Sequence, residues 1–271
     1  MRAAFALAGL AAAAAAAPAL AQQQPTLRPL CASRPGLGTP PCVLDKGHVQ
    51  FEIGVVSAQR DAEAGFLVET LALGSTEISY GLDGINQLSV VVAPYNIITT
   101  TNETTGARRR IMGVGDVAVR WRHSLRNPDG EGLSIAAEGL LNFALGVPGV
   151  RSSGWGAGVL FPLSWAITDT LAFITAPGFI WSENIARTGQ HFDYTGSFGL
   201  AKTLGDFALT VEAGYTRDGE PDSGRESASV AGSLAWSPPR DANLQFDAGF
   251  SLALNPSAPD VQAYFGVVKR F

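Results

Sequence analysis

From His48 onward the dominant signal is alternation: within successive segments one set of side chains is large and apolar, and those between are small or polar. Phe207, Leu209, Val211, Ala213 and Tyr215 alternate with Ala208, Thr210, Glu212 and Gly214. Leu244, Phe246, Ala248, Phe250 and Leu252 alternate with Gln245, Asp247, Gly249 and Ser251. Val49, Phe51, Ile53 and Val55 do the same against Gln50, Glu52 and Gly54. A period of two belongs to strands, not to helices. A soluble sandwich also alternates, but its polar face meets bulk water and is rich in Lys, Glu and Arg. Here that face is Ser, Thr, Gly, Ala, Asn and Gln with single charges, and only 16% of the chain is charged, against roughly 25% in soluble domains. Such a face suits the crowded inside of a closed barrel, with the apolar face turned to lipid. Strands can cross a bilayer only when every backbone group is paired around a closed ring.

The pattern predicts an all-β protein: a transmembrane, antiparallel, up-and-down β-barrel of about twelve strands. The strands fall at 48–57, 64–81, 87–98, 112–125, 132–145, 154–167, 170–182, 191–204, 207–217, 225–237, 242–254 and 260–271. The second could bend or split at Gly74-Ser75. Five connections are turn-like: Asp83-Gly84, Asn127 to Gly130, Thr168-Asp169, Gly205-Asp206 and Pro238 to Asp241. They alternate strictly with a second set, mostly longer: 58–63, 98–111, 146–153, 183–190, 218–224 and 255–259. Outer-membrane barrels show this asymmetry, with tight turns on the periplasmic side and longer loops outside. Trp155, Trp165, Trp181 and Trp236 lie near strand ends, where an interfacial girdle belongs. Phe271, Val267 and Phe265 share one register at the C-terminus, in a pattern that resembles the insertion signal of outer-membrane barrels. That resemblance implies the barrel-insertion machinery as a partner, beside outer-membrane lipid.

Residues 1–21 read as a cleaved signal peptide: Arg2, an Ala-rich stretch, then Ala19-Leu20-Ala21 as a small-x-small site. Export to the outer membrane of a Gram-negative bacterium follows. Residues 22–47 form a Pro-rich periplasmic segment without periodicity. It carries both cysteines, Cys31 and Cys42, which an oxidising compartment would join. The segment could also lie in the barrel mouth as a partial plug. A net charge of −5 with no basic patch argues against nucleic acid.

Several segments carry a family likeness. Arg34-Pro35-Gly36 leading to Gly47-His48-Val49-Gln50-Phe51-Glu52 is one, and Glu77 through Leu82 is another. Gly113-Val114-Gly115-Asp116, running on to Arg120, is a third, with Leu145 through Gly149 a looser fourth. Together they resemble the outer-membrane family named for a MetA pathway of phenol degradation. The resemblance implies a barrel channel suggested to pass aromatic or other small organic compounds. The glycines of the third segment also permit a bulge at a strand entrance.

Turning the polar face inward makes Glu52, Glu69, Glu77, Asp116, Arg120, Arg122, Glu138, Asp193, Glu212, Asp247 and Arg270 the lumen-lining candidates. The acid excess would favour cations, or the charges could simply satisfy one another. The small residues Ser227, Ser229, Ala231, Ser233, Gly249, Ser251 and Ala253 would leave room along one wall. A passive channel for small solutes, without cofactor, is the leading reading. A lipid-active barrel enzyme using His191, and a non-conducting structural barrel, are the alternatives. No catalytic set or metal-ligand spacing is visible: His48, His123 and His191 are dispersed.

Overall fold

The computed structural model describes residues 27–152, 154–221 and 224–271. The signal-peptide reading of 1–21 and the start of the Pro-rich segment lie outside the described residues. Among those described, the chain forms sixteen antiparallel strand segments. The first eight are β1 (Val49–Glu63), β2 (Phe66–Gly81), β3 (Asn86–Val92), β4 (Tyr95–Asn102), β5 (Arg108–Gly113), β6 (Val117–Arg126), β7 (Leu133–Phe143) and β8 (Gly156–Leu160). The others are β9 (Leu163–Thr168), β10 (Leu171–Thr175), β11 (Gly178–Glu183), β12 (Gln190–Leu204), β13 (Phe207–Arg217), β14 (Glu226–Trp236), β15 (Leu244–Ala253) and β16 (Val261–Arg270). Four staves are interrupted once each, at Pro94, at Val114–Asp116, at Pro162 and at Pro177. A proline gives no amide to the ladder, so pairing pauses there. Sixteen segments therefore make twelve staves, closed by pairing of β1 with β16.

The core is inverted relative to a soluble domain. The largest fully buried side chains include Arg122, Gln50, Gln87, Glu52, Glu138 and Asp247. The outward face is apolar and bare, as with Phe198 at 59% and Trp165 at 56% exposure. In lipid this is the stable arrangement, since acyl chains solvate the outside while the charges pair within. Trp155 and Trp181 meet edge to face at the external ends of their strands, 4.9 Å apart. Phe207, Trp236 and Phe246 stack at the opposite ends. Amphipathic rings favour both interfaces.

A line of one-residue insertions crosses four neighbouring staves at one level. β1 carries an extra residue at Val55: Gly54 faces Gly266 on β16, but Val56 faces Phe265. β2 matches it at Gly74, whose φ of +70° suits glycine. The next two staves match it at Pro94 and at Val114–Asp116. Because each neighbour slips in turn, only the β1–β16 border takes the misfit. Beyond the fault, the far edge of β5 pairs with no strand among the described residues. Residues 144–152 lie against the fault instead. Val147 donates its amide to Val114 O at 3.0 Å. The carboxylate of Asp116 accepts the amides of Gly146 and Ser152 and the Ser152 hydroxyl. Gly113 leaves the space that the Val147 side chain fills.

Three sequence expectations are corrected here. The connection expected at 58–63 is strand, and the turn is Ala64-Gly65, with φ of 54° and 80°. Two positive φ values in a two-residue loop match the twist of the flanking strands. The loop expected at 98–111 likewise shrinks to 103–107. Glu69 does not face the lumen. Above Gly74 the inward parity has changed: Ala72 lines an internal cavity with Tyr264, so Glu69, three residues away, points outward. There it lies 3.8 Å from the exposed Arg108.

Candidate functional site

The lumen is occupied by the chain's own N-terminal segment. Residues 27–47, expected as a periplasmic segment, lie inside the lumen: they enter from the end that carries the tight turns, which the turn asymmetry makes the periplasmic one, and are stapled by the Cys31–Cys42 disulfide, with Cα atoms 5.8 Å apart. Two wall carboxylates hold it by its backbone. Glu52 accepts the amides of Ser33 and Arg34, each at 3.0 Å. Across the barrel, Glu212 accepts those of Leu37 at 2.7 Å and Gly38 at 3.2 Å. Successive amides aimed at one carboxylate form an anion-holding concavity.

Between these anchors sits Arg34. Its guanidinium bonds Asp247 with two nitrogens, at 2.9 and 3.3 Å. A side chain at Gly266 would occupy the same space, so that glycine makes room for Arg34. Tyr264 Oη donates to Pro35 O at 2.6 Å, and Gln245 donates to Arg34 O. A third hub is Arg122, 2% exposed. It bonds Glu138 at 2.6 Å, Cys42 O at 3.1 Å, and the hydroxyls of Ser33 and Thr39. At the periplasmic mouth Arg270 donates to Arg28 O at 2.9 Å and meets Asp45.

The structure thus brings Glu52, Arg122, Glu138, Glu212, Asp247 and Arg270 onto one ligand, the plug. Glu77 instead pairs with Arg120, 3.2 Å away on the lumen wall. Asp116 serves residues 144–152, and Asp193 sits at the external mouth beside His191. Phe265, Val267 and Phe271 face outward, with Phe271 edge-on to Phe51. Sequence reading placed charges inside and raised the plug, but did not pair the two, because an aperiodic segment gives no register to align.

Above the plug lies a cavity of about 450 Å³. Leu37, Leu140, Leu160 and Ile180 give it an apolar side. Thr195, Ser197, Thr216, Ser227 and Ser229 give it a hydroxyl-rich side, with Arg120 at its edge. A second cavity of about 220 Å³ runs between plug and wall past Thr39, Ile174 and Ser197. Ser197 lines both, and its buried hydroxyl has no protein partner. As for the enzyme reading, Ser182 Oγ donates to Asp193 rather than to His191.

Comparison with known proteins places this geometry. The barrel is similar to the COG4313 outer membrane channel from Pseudomonas putida F1, at 13% identity and TM-score 0.67. That match covers 84% of this chain and 97% of the other. It is also similar to the β domain of the Bordetella autotransporter BrkA, at 10% identity and TM-score 0.53, covering 84% and 100%. No curated protein sequence matches the chain. The family model described as "Putative MetA-pathway of phenol degradation" matches residues 32–271, the plug and the whole barrel together. The chain is an outer-membrane β-barrel and belongs to that family.

Proposed function

We propose that this protein is an outer-membrane channel for small organic solutes with an apolar body and a polar group, phenols being the type. The cavity above the plug carries the reading. Its apolar side can take a ring while the facing hydroxyls of Thr195, Thr216, Ser227 and Ser229 take a polar substituent. The family description, which names phenol degradation, points the same way. The plug sets the bore. Twelve staves fall between filled eight-stranded and open sixteen-stranded barrels, and residues 27–47 take up much of that space. The acid excess that would favour cations is largely spent: Glu52 and Glu212 bind plug amides, and Glu138 and Asp247 bind guanidinium groups.

Planar-bilayer recording and liposome swelling test the proposal. The wild type is expected to conduct weakly and to admit small phenols faster than sugars of similar mass. Glu52→Gln with Glu212→Gln removes both charged anchors and is expected to raise conductance several-fold. If neither protein passes ions or small aromatics, the barrel is non-conducting and the proposal fails.

A further inference from the structure

At the external mouth, three side chains far apart in sequence converge. His191 is the second residue of β12, Asp193 follows two residues later on the same face, and Asp218 comes just after the end of β13. Their ligand-type atoms lie within 4.8 Å of one another. The imidazole is 9% exposed. Its Nδ1 faces Asn184 Oδ1 at 2.8 Å and Glu220 Oε2 at 3.4 Å. The Asn184 amide is fixed the right way round, because its Nδ2 donates to Thr188 O. Both groups beside Nδ1 are acceptors, so Nδ1 carries the ring proton. Nε2 is then left facing two more acceptors, Asp193 Oδ1 at 3.4 Å and Asp218 Oδ1 at 3.5 Å. A lone pair aimed at two carboxylates is unfavourable unless a cation stands between them.

We propose that His191 Nε2, Asp193 Oδ1 and Asp218 Oδ1 form a binding site for a divalent transition-metal ion of the Zn²⁺ class. A tetrahedral ion with bonds of about 2.0–2.1 Å spaces its ligand atoms about 3.3–3.4 Å apart. The two His–Asp separations match that edge. The mixed nitrogen and oxygen donors suit Zn²⁺, whereas Ca²⁺ takes six to eight oxygens. Supporting contacts are in place. Each carboxylate oxygen also accepts one backbone amide, from Gly219 and Glu220 respectively, and Ser182 holds the other oxygen of Asp193. The Nδ1–H bond to an outer acceptor is what orients a ligating histidine. Charge argues alike: Asp193, Asp218 and Glu220 surround one imidazole, and a proton would offset only one of the three.

The full-length protein, untagged, refolded in detergent and stripped with chelator, is titrated with ZnCl₂ by calorimetry. One Zn²⁺ per chain is expected, with Co²⁺ giving the visible bands of a four-coordinate site. His191→Ala, and separately Asp193→Asn with Asp218→Asn, are expected to weaken binding at least tenfold. Asn184→Ala, which touches no metal, is expected to weaken it about ten- to hundredfold. Heat-modifiable gel migration shows that each variant is folded. Should a variant fail that check, the Co²⁺ spectrum of the wild type alone still decides. Absence of Zn²⁺ binding at millimolar concentration would overturn the site. Binding unaffected by the variants, or Ca²⁺ binding as tightly as Zn²⁺, would overturn it too.

Discussion

At the scale of single residues, the buried Arg122–Glu138 pair makes the clearest energetic claim. The two side chains are 2% and 1% exposed. Removing one partner leaves the other charge buried without compensation, which costs about 3–5 kcal/mol. Arg122→Met should therefore lower stability by that amount in urea unfolding from liposomes, and should loosen Ser33 and Thr39 with it. Asp241, in the periplasmic turn before β15, behaves differently. Lys269 Nζ lies 2.5 Å away and holds its carboxyl below the ordinary carboxylate range, helped by the Asn243 amide. A carboxyl lowered on folding adds stability above its unfolded value, about pH 3.9, and loses it as pH falls through the folded value. The stability gap between wild type and Asp241→Asn should be present at neutral pH and close in stronger acid. The gap should be small, because the pair is exposed and salt screens it. Residue facing was legible wherever alternation runs unbroken, as at Glu212 and Asp247. It failed at Glu69, because one inserted residue inverts every facing above it. The partnership of His191 with Asp218 was hidden for another reason: it spans two strands and a loop, and no sequence period links them.

At the scale of elements, twelve staves could be read because each alternates and each is bounded by turn residues. The fault could not. Val55 adds one apolar residue to Gly54-Val55-Val56, and nothing in that run marks which residue is extra. Gly74 is the punctuation mark within the fault, and its φ of +70° is the reason for glycine. Gly74→Val should cost about 1–2 kcal/mol from the left-handed backbone alone, seen as a lower unfolding midpoint. The edge of β5 gives a dynamic expectation. Its ladder is one-sided, so amides of Arg108–Gly113 that face away from β4 should exchange with deuterium faster than those of β13, which is paired on both edges. Equal protection of the two strands would mean that residues 144–152 seal that edge as well as a strand would.

At the scale of the whole molecule, barrel and plug are a container and a captive made from one chain. The barrel followed from periodicity and the plug only from the lack of it, so its depth and its grip had to come from the structure. Reducing the Cys31–Cys42 bond frees an 11-residue span. Closing a short loop of that kind contributes about 2–4 kcal/mol, and here it acts on the plug and not on the staves. Reduced protein should therefore keep its heat-modifiable migration while its conductance rises. Unchanged conductance would mean that the wall contacts alone hold the plug. The grip of Glu52 and Glu212 has one more consequence. Both carboxylates read main-chain N–H groups, which every residue but proline possesses. Leu37 is thus docked by its main chain, whereas Ser33 and Arg34 add side-chain bonds to Arg122 and Asp247, and Gly38 has no room for a Cβ beside Ser197. Leu37, whose side chain faces the cavity, is free to vary in size and polarity while its docking stays the same. Substitutions at Leu37 can therefore reshape the cavity lining while the main-chain grip of Glu212 stays intact.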